Sequence, residues 1–349
     1  MIKTLLLISV SFLLVISSAC NGEFTSIKTK TENITDESII YVSDREGNTN
    51  FYTMNPDGSN IQKINLENFP STALISGIQW SPSLQKYLVT AMIGTDSDIY
   101  TMDWDGDNLD NLANTPGIME DNPVPSPNGE WIAFIASEIQ PEIVLMQPNG
   151  KNKINLSKFA GQNSSPTWAP DNSRIYFNSN REGTPNIFSV ELDASDVTNI
   201  SHGRGLDAKY SVSPDGEHLV FDSDRDGAMD LFVIPTSGGE PTNITQHQAI
   251  DVEPVWSPDG QWIAFRSNRD GGWDLFITSP DGETVKNLTM SPDIDEVNFS
   301  WAPDSQHLVF NSNLNNQIDI FVIDLAGNAP INISNNPAND YGPVWVTNK

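Results

Sequence analysis

Cysteine, histidine and basic side chains are scarce in this chain of 349 residues. One cysteine, Cys20, rules out an intramolecular disulfide, so the fold must be held by packing. Lysine and arginine number 18 against 46 aspartates and glutamates, a formal net charge of −28. Binding to a phosphate backbone works through basic groups that displace counterions, so nucleic acid is not an expected partner. An anionic lipid surface repels such a domain, whereas basic peptides and cations are drawn to it. Long apolar runs are also missing. The longest, TLLLISVSFLLVIS near the N-terminus, has about fourteen residues, against the ~20 of a membrane-spanning helix. There is no G-x-S-x-G elbow, no H-E-x-x-H and no Walker A pattern. No catalytic residue, metal ligand set or cofactor is therefore expected.

The apolar run follows Lys3, the only charge among the first nineteen residues, and reads as the core of a secretory signal over 1–19. The stretch ISSAC then puts small residues ahead of Cys20. This junction resembles the bacterial lipoprotein signal, in which the cysteine thiol is acylated and becomes the mature N-terminus. The resemblance implies lipidation at Cys20 and an exported lipoprotein, in the periplasm or at the cell surface, attached to a membrane through its lipid alone. Up to residue 37 the chain is polar without an apolar period, which predicts a tether over 20–37.

The rest repeats. Trp80, Pro125, Trp168, Val212, Trp256, Trp301 and Trp345 stand 43 to 45 residues apart, and the first six are followed by SPSL, SPNG, APDN, SPDG, SPDG and APDS. A second marker, Asn before Leu or Ile, falls at Asn65, Asn111, Asn155, Asn199, Asn243, Asn287 and Asn332. A third, a polar residue ahead of a β-rich run, falls at Asn50, Asp98, Glu142, Asn186, Asp230, Asp274 and Asp319. Each marker counts seven. Within one unit, PVW, QWIAFRS, WDLFITS and TVKNLT read as four strands separated by the turns SPDG, NRDGG and PDGE. Four strands per repeat of about 44 residues predict an all-β propeller blade. Residues 38–66 supply three strands of one blade and residues 341–346 the fourth, so a seven-bladed propeller over 38–346 closes by pairing the two ends of the chain, which removes open sheet edges.

WSPDGQWIAFRSNRDGGWDLF (256–276) resembles the repeat of TolB-type propellers, which also occurs in the propeller domains of several peptidases. The resemblance covers residues 38 to 346 and implies architecture rather than activity. TolB itself carries an α/β domain ahead of a propeller described with six blades; here a short polar stretch takes that place and the repeat counts seven.

Subtracting the repeat sorts the remaining candidates. The Asn-x-Ser/Thr triplets at Asn155, Asn199, Asn243, Asn287 and Asn332 occupy one repeat position and mark the outer strand, not glycosylation. His218 and His307 stand where other blades carry Trp131, Arg174 and Trp262, and His202 and His247 are unmatched. DSDRDGAMD (222–230) begins like a calcium-binding EF-hand loop, but Val233 stands where that loop needs a bidentate Glu. Asp230 and its equivalents are expected to hydrogen-bond between blades or cap a hairpin. One pattern survives: five residues before each anchor stand Ile75, Glu120, Asn163, Asp207, Asp251, Glu296 and Asp340. In a propeller this is one mouth of the central channel, so Glu120, Asp207, Asp251, Glu296 and Asp340 are the candidate ligand-binding residues. Arg45, Arg181, Arg225 and Arg269 lie in turns on the same face. They are expected to pair with ring acids, although four arginines cannot neutralise five acids singly.

Two functions fit. In the first, a monomeric, lipid-anchored propeller binds a protein or basic peptide without catalysis at its acidic channel mouth. In the second, a propeller lyase or hydrolase acts on envelope or environmental polysaccharide through ring carboxylates. The second predicts at least one ring acid with a strongly raised pKa, or a bound divalent ion.

Overall fold

The computed structural model describes residues 37–158, 161–203, 205–290, 295–313 and 317–347. The predicted signal, the predicted lipidation site at Cys20 and all but the last residue of the predicted tether lie outside these residues. Seven four-stranded antiparallel sheets are present, each in simple meander order, and no helix occurs among the described residues. Six blades are continuous, spanning 74–111, 119–155, 163–199, 207–243, 251–287 and 296–332. Blade 1 is composite: Asp340–Thr347 is its inner strand, followed by Glu37–Ser43, Asn50–Met54 and Gln62–Lys63. Ile39 lies opposite Trp345, and Ser43 opposite Asp340. The head and tail of the propeller therefore share a sheet, as the repeat count requires.

The sequence marks explain the local structure. In SPDG, the Ser257 hydroxyl accepts from Trp262 N at 3.0 Å and donates to the Asp259 carboxylate at 2.6 Å. Gly260 closes the turn at φ +71°, a conformation in which a Cβ is strained. The anchors Trp80, Trp168, Trp256 and Trp301 are buried, and the Trp168 and Trp301 indoles tie blades together by donating to Val124 O and Val255 O of the preceding blade, at 2.9 and 3.0 Å. The core lies between blades rather than within them. Ala264, Leu275, Ile277 and Leu288 of blade 6 pack against Trp301, Leu308, Phe310 and Phe321 of blade 7. A sheet with apolar residues on both faces can bury both only by stacking neighbours on either side.

The Asn-x-Ser/Thr triplets are internal clasps. Asn243 Nδ2 donates to Asp230 Oδ2 at 2.9 Å, the Thr245 hydroxyl donates to Asp230 Oδ1 at 3.2 Å, and Leu231 N donates to Thr245 Oγ1 at 3.0 Å. The same arrangement recurs at Asp274 with Asn287 and Thr289, and at Asp319 with Asn332 and Ser334. In blade 3 the Ser157 hydroxyl binds Glu142. The clasp fixes a two- or three-residue outer strand to the third strand, and in blades 5 to 7 it accounts for both the second and third sequence markers.

Candidate functional site

Each inner strand starts on one face of the ring of blades, the face that also carries the turns between second and third strands. The five predicted carboxylates all sit there, at or next to the first residue of an inner strand. They form a ring, but behind the surface: Glu120, Asp207, Asp251, Glu296 and Asp340 are at most 3% exposed. Asn163 is equally buried and Ile75 half-buried.

Burial of a charge requires a partner, and the arginines supply it in three blades. Arg225 Nη2 lies 2.8 Å from Asp207, Arg269 Nη2 2.7 Å from Asp251, and Arg45 Nη2 3.2 Å from Asp340. Each pair belongs to one blade. The Arg225 guanidinium also reaches Ser201 O of the preceding blade at 3.3 Å, so it couples neighbours as well. Arg181 makes the corresponding bond, 3.1 Å, to the neutral Asn163. All four arginines bond through Nε to the serine two residues earlier, Ser43, Ser179, Ser223 or Ser267, at 2.9 to 3.1 Å. Each guanidinium covers an aromatic pair, as Arg225 does over Phe221 and Phe232 at 4.8 and 5.0 Å. The Ser-x-Arg module recurs at a spacing of 44 residues, from Ser179 to Ser223 to Ser267, a signal visible in the sequence.

The two glutamates differ from the aspartates. Glu296 receives hydroxyls, Thr289 at 3.1 Å and Ser312 at 3.3 Å. Glu120 meets Lys153 Nζ at 3.3 Å, while its Oε2 is buried without a hydrogen-bond partner. Burial pushes the Glu120 carboxyl up to about 7 and the neighbouring Asp98 adds to this, against the opposing pull of Thr115 and Lys153. One oxygen each of Asp207 and Asp251 is also buried without a partner.

What solvent meets on this face is the residue one step earlier. Leu74, Met119, Leu206 and Ile250 are 67%, 48%, 41% and 43% exposed, each immediately ahead of a ring residue. Ile139 and Met290, in loops on the same face, are more exposed than most of these. Ring positions and exposed apolar positions thus alternate inward and outward along the strand entries.

A second row escaped the sequence reading. Every inner strand bulges where two of its residues oppose one on the second strand. The second-strand residue there is Asn178, Asp222, Arg266 or Asn311 in blades 4 to 7. Asp222, fully buried, accepts from Lys209 N of its own blade at 2.8 Å and from Glu253 N of the next at 2.9 Å. Asn311 accepts from Gly342 N, Asn178 donates to Asp207 O, and Arg266 donates through Nε to Glu296 O, each across to the next blade. This row staples consecutive inner strands. Burial raises the Asp222 carboxyl to about 6, against the two N–H bonds it accepts. The calcium-loop likeness of 222–230 dissolves here: Asp222 points into the staple, while Asp224 caps Leu206 N at 2.7 Å. Among the described residues, Asp215, Glu217 and His218 gather on an exposed turn of the opposite face, where Asp215 is already occupied by Ser213 and Glu217 N.

No curated protein matches the sequence. Solved structures do match by fold. TolB from Acinetobacter baumannii is 18% identical, with 85% of this chain and 78% of that one covered and a TM-score of 0.52. A puromycin-hydrolyzing peptidase of Mycobacterium tuberculosis is 13% identical, with 86% and 52% covered and a TM-score of 0.63. An oligogalacturonate lyase from Vibrio parahaemolyticus is 12% identical, with 82% and 86% covered and a TM-score of 0.64. At these identities the likeness is one of fold, shared by proteins of unlike activity. The family model of the TolB beta propeller domain matches residues 80–221 and 199–300. With most of its length matched in this way, the chain belongs to the TolB β-propeller family.

Proposed function

We propose that this propeller is a non-catalytic scaffold of the cell envelope, exported and lipid-anchored at Cys20, that docks a protein or peptide on the face carrying the inner-strand entries. The observation that carries the reading is the set of exposed apolar side chains, Leu74, Met119, Leu206 and Ile250, standing directly ahead of ring residues. Hydrophobic side chains held outward by a rigid ring at repeated positions form a docking surface rather than a random scatter. The buried ring behind them fixes their spacing. The partner is an apolar segment with basic flanks, because the surrounding surface belongs to a chain of net charge −28. Replacing Leu206 and Ile250 together by lysine removes two anchors and repels a basic flank. Tag-free protein should retain an envelope partner whose binding weakens with salt, and the double variant should lose it at unchanged melting temperature. Equal retention by both proteins would refute the reading.

One observation favours the second reading, an enzyme on polysaccharide: the Glu120 carboxyl titrates near neutrality, as a general acid does. A glycan-degradation screen in which Glu120→Gln abolishes an activity of the parent protein would establish it; no activity in the parent leaves the scaffold reading.

A further inference from the structure

On the face opposite the inner-strand entries, the second strand of each blade begins beside the end of the third. In blades 2, 4 and 7 a basic residue there faces an acid. Lys86 Nζ lies 2.6 Å from Asp103, Arg174 Nη2 lies 3.9 Å from Glu191, and His307 stands opposite Asp324. Blade 3 breaks this pattern with Trp131 and Gln147, one step beyond the Ile132 and Met146 pair. Where blades 2 and 4 place an ion pair, blade 3 has a cleft of about 720 Å³, lined by Glu130, Trp131, Gln147, Pro148 and Asn149. Small-molecule sites occupy ~300–1,000 Å³. Blade 6 also carries a tryptophan there, Trp262, but opposes it with Ser279, whose hydroxyl is already given to Asp281.

The blade 3 cleft combines a fixed aromatic platform with open polar groups. Trp131 is half-buried and packs against the core shared by blades 3 and 4, so its indole is held in place before any ligand arrives. Gln147 Oε1 accepts from Asn152 Nδ2 at 2.8 Å, which orients the amide, and among the described residues its Nε2 has no acceptor. Glu130 Oε2 accepts from Asn128 Nδ2 at 3.1 Å, and among the described residues its other oxygen has no hydrogen-bond donor. We propose that this cleft binds a neutral sugar, one pyranose ring of a glycan lying on Trp131 with its hydroxyls held by Gln147 and Glu130. The face of an aromatic ring carries partial negative charge and attracts the C–H groups of a sugar ring. A hydroxyl both donates and accepts, so it satisfies an amide N–H and a carboxylate oxygen together. A proline-rich peptide also lies on aromatic side chains, but its carbonyls are acceptors and leave the carboxylate without a donor. An acidic sugar brings a like charge against Glu130. The site does not rest on the docking reading, because it lies on the other face of the ring.

The test is calorimetric titration with cellotetraose, maltotetraose, mannotetraose and chitotetraose as neutral probes, tetragalacturonate as the acidic one and decaproline as the peptide. At least one neutral oligosaccharide should bind, and tetragalacturonate should bind about tenfold more weakly or not at all. Trp131→Ala should lose about tenfold in affinity and Gln147→Ala about threefold or more. Gln147→Ala keeps the backbone bonds of its turn, Gln147 N to Lys151 O at 2.9 Å and Gly150 N to Gln147 O at 2.8 Å. That variant therefore decides the matter even where Trp131→Ala fails to fold. The double lysine variant at Leu206 and Ile250 should bind the sugar as the parent does, so the two proposals fail separately. No binding by any neutral oligosaccharide, unchanged binding in either folded variant, or binding of decaproline in place of the sugars overturns the proposal.

Discussion

Asp222 is where the fold pays an electrostatic cost that can be measured. Its carboxyl is raised from 3.8 to about 6 in the folded protein, mainly by burial. A group whose folded pKa lies above its unfolded value binds its proton more tightly when folded. The contribution of Asp222 to stability is therefore highest below about pH 4, falls as pH rises from about 4 to about 6, and stays lower above that. The shift of about two units corresponds to ~3 kcal/mol at full ionisation. Asp222→Asn removes this titration but replaces one of two acceptor oxygens by an amide, leaving one of Lys209 N and Glu253 N unsatisfied at ~1–3 kcal/mol. Asparagine is native to the row at positions 178 and 311, so the site accommodates its shape. The variant should be destabilised by ~1–3 kcal/mol near pH 4 and match or exceed the parent, by up to ~2 kcal/mol, above pH 7. Urea unfolding at pH 4, 5, 6, 7 and 8 gives the difference curve directly. A difference between variant and parent that stays flat across this range would refute the reasoning, because it would mean that Asp222 titrates alike in the folded and unfolded chain.

Two further outcomes follow from the ring and the closure. Arg269→Gln leaves Asp251 buried and uncompensated, and should cost about 3–5 kcal/mol in denaturant unfolding. Asp251→Asn should cost less than half of that, because it reproduces the Asn163–Arg181 pairing of blade 4; equal costs for both changes would contradict the ion-pair account. Ending the chain at residue 339 removes the inner strand of blade 1, including buried Val346, the Asp340 partner of Arg45 and the Thr347 carbonyl that accepts from the Trp80 indole at 2.9 Å. Such a loss is on the order of 5 kcal/mol or more, and the melting temperature should drop by about 10 °C or more; unchanged melting would mean that the ends do not close the ring.

The blade count, the strand order and the composite first blade were all legible in the sequence. Spacing is a one-dimensional property, and Trp256, Pro258 and Asn287 each fix a local turn or strand wherever the unit recurs. Arg45, Arg225 and Arg269 were likewise matched to the ring acids from their positions in the repeat. What failed to show was depth. Asp251 and Ile250 are neighbours in the chain, yet one is fully buried and the other 43% exposed. The alternation depends on how the preceding loop crosses between blades, and a bare acidic position carries no sign of it.

The sequence alone determined a closed ring of seven repeated sheets with one carboxylate-rich face, because repetition and turn chemistry are local and additive. Only the tertiary structure decided which groups on that face meet solvent. Asp222, inside a stretch that looks like a surface turn, became a buried staple between blades 5 and 6 through backbone N–H groups 13 residues before it and 31 after it. Charge pairing across blades depends on distances of a few ångströms between residues far apart in the chain, and those distances exist only once the ring has closed.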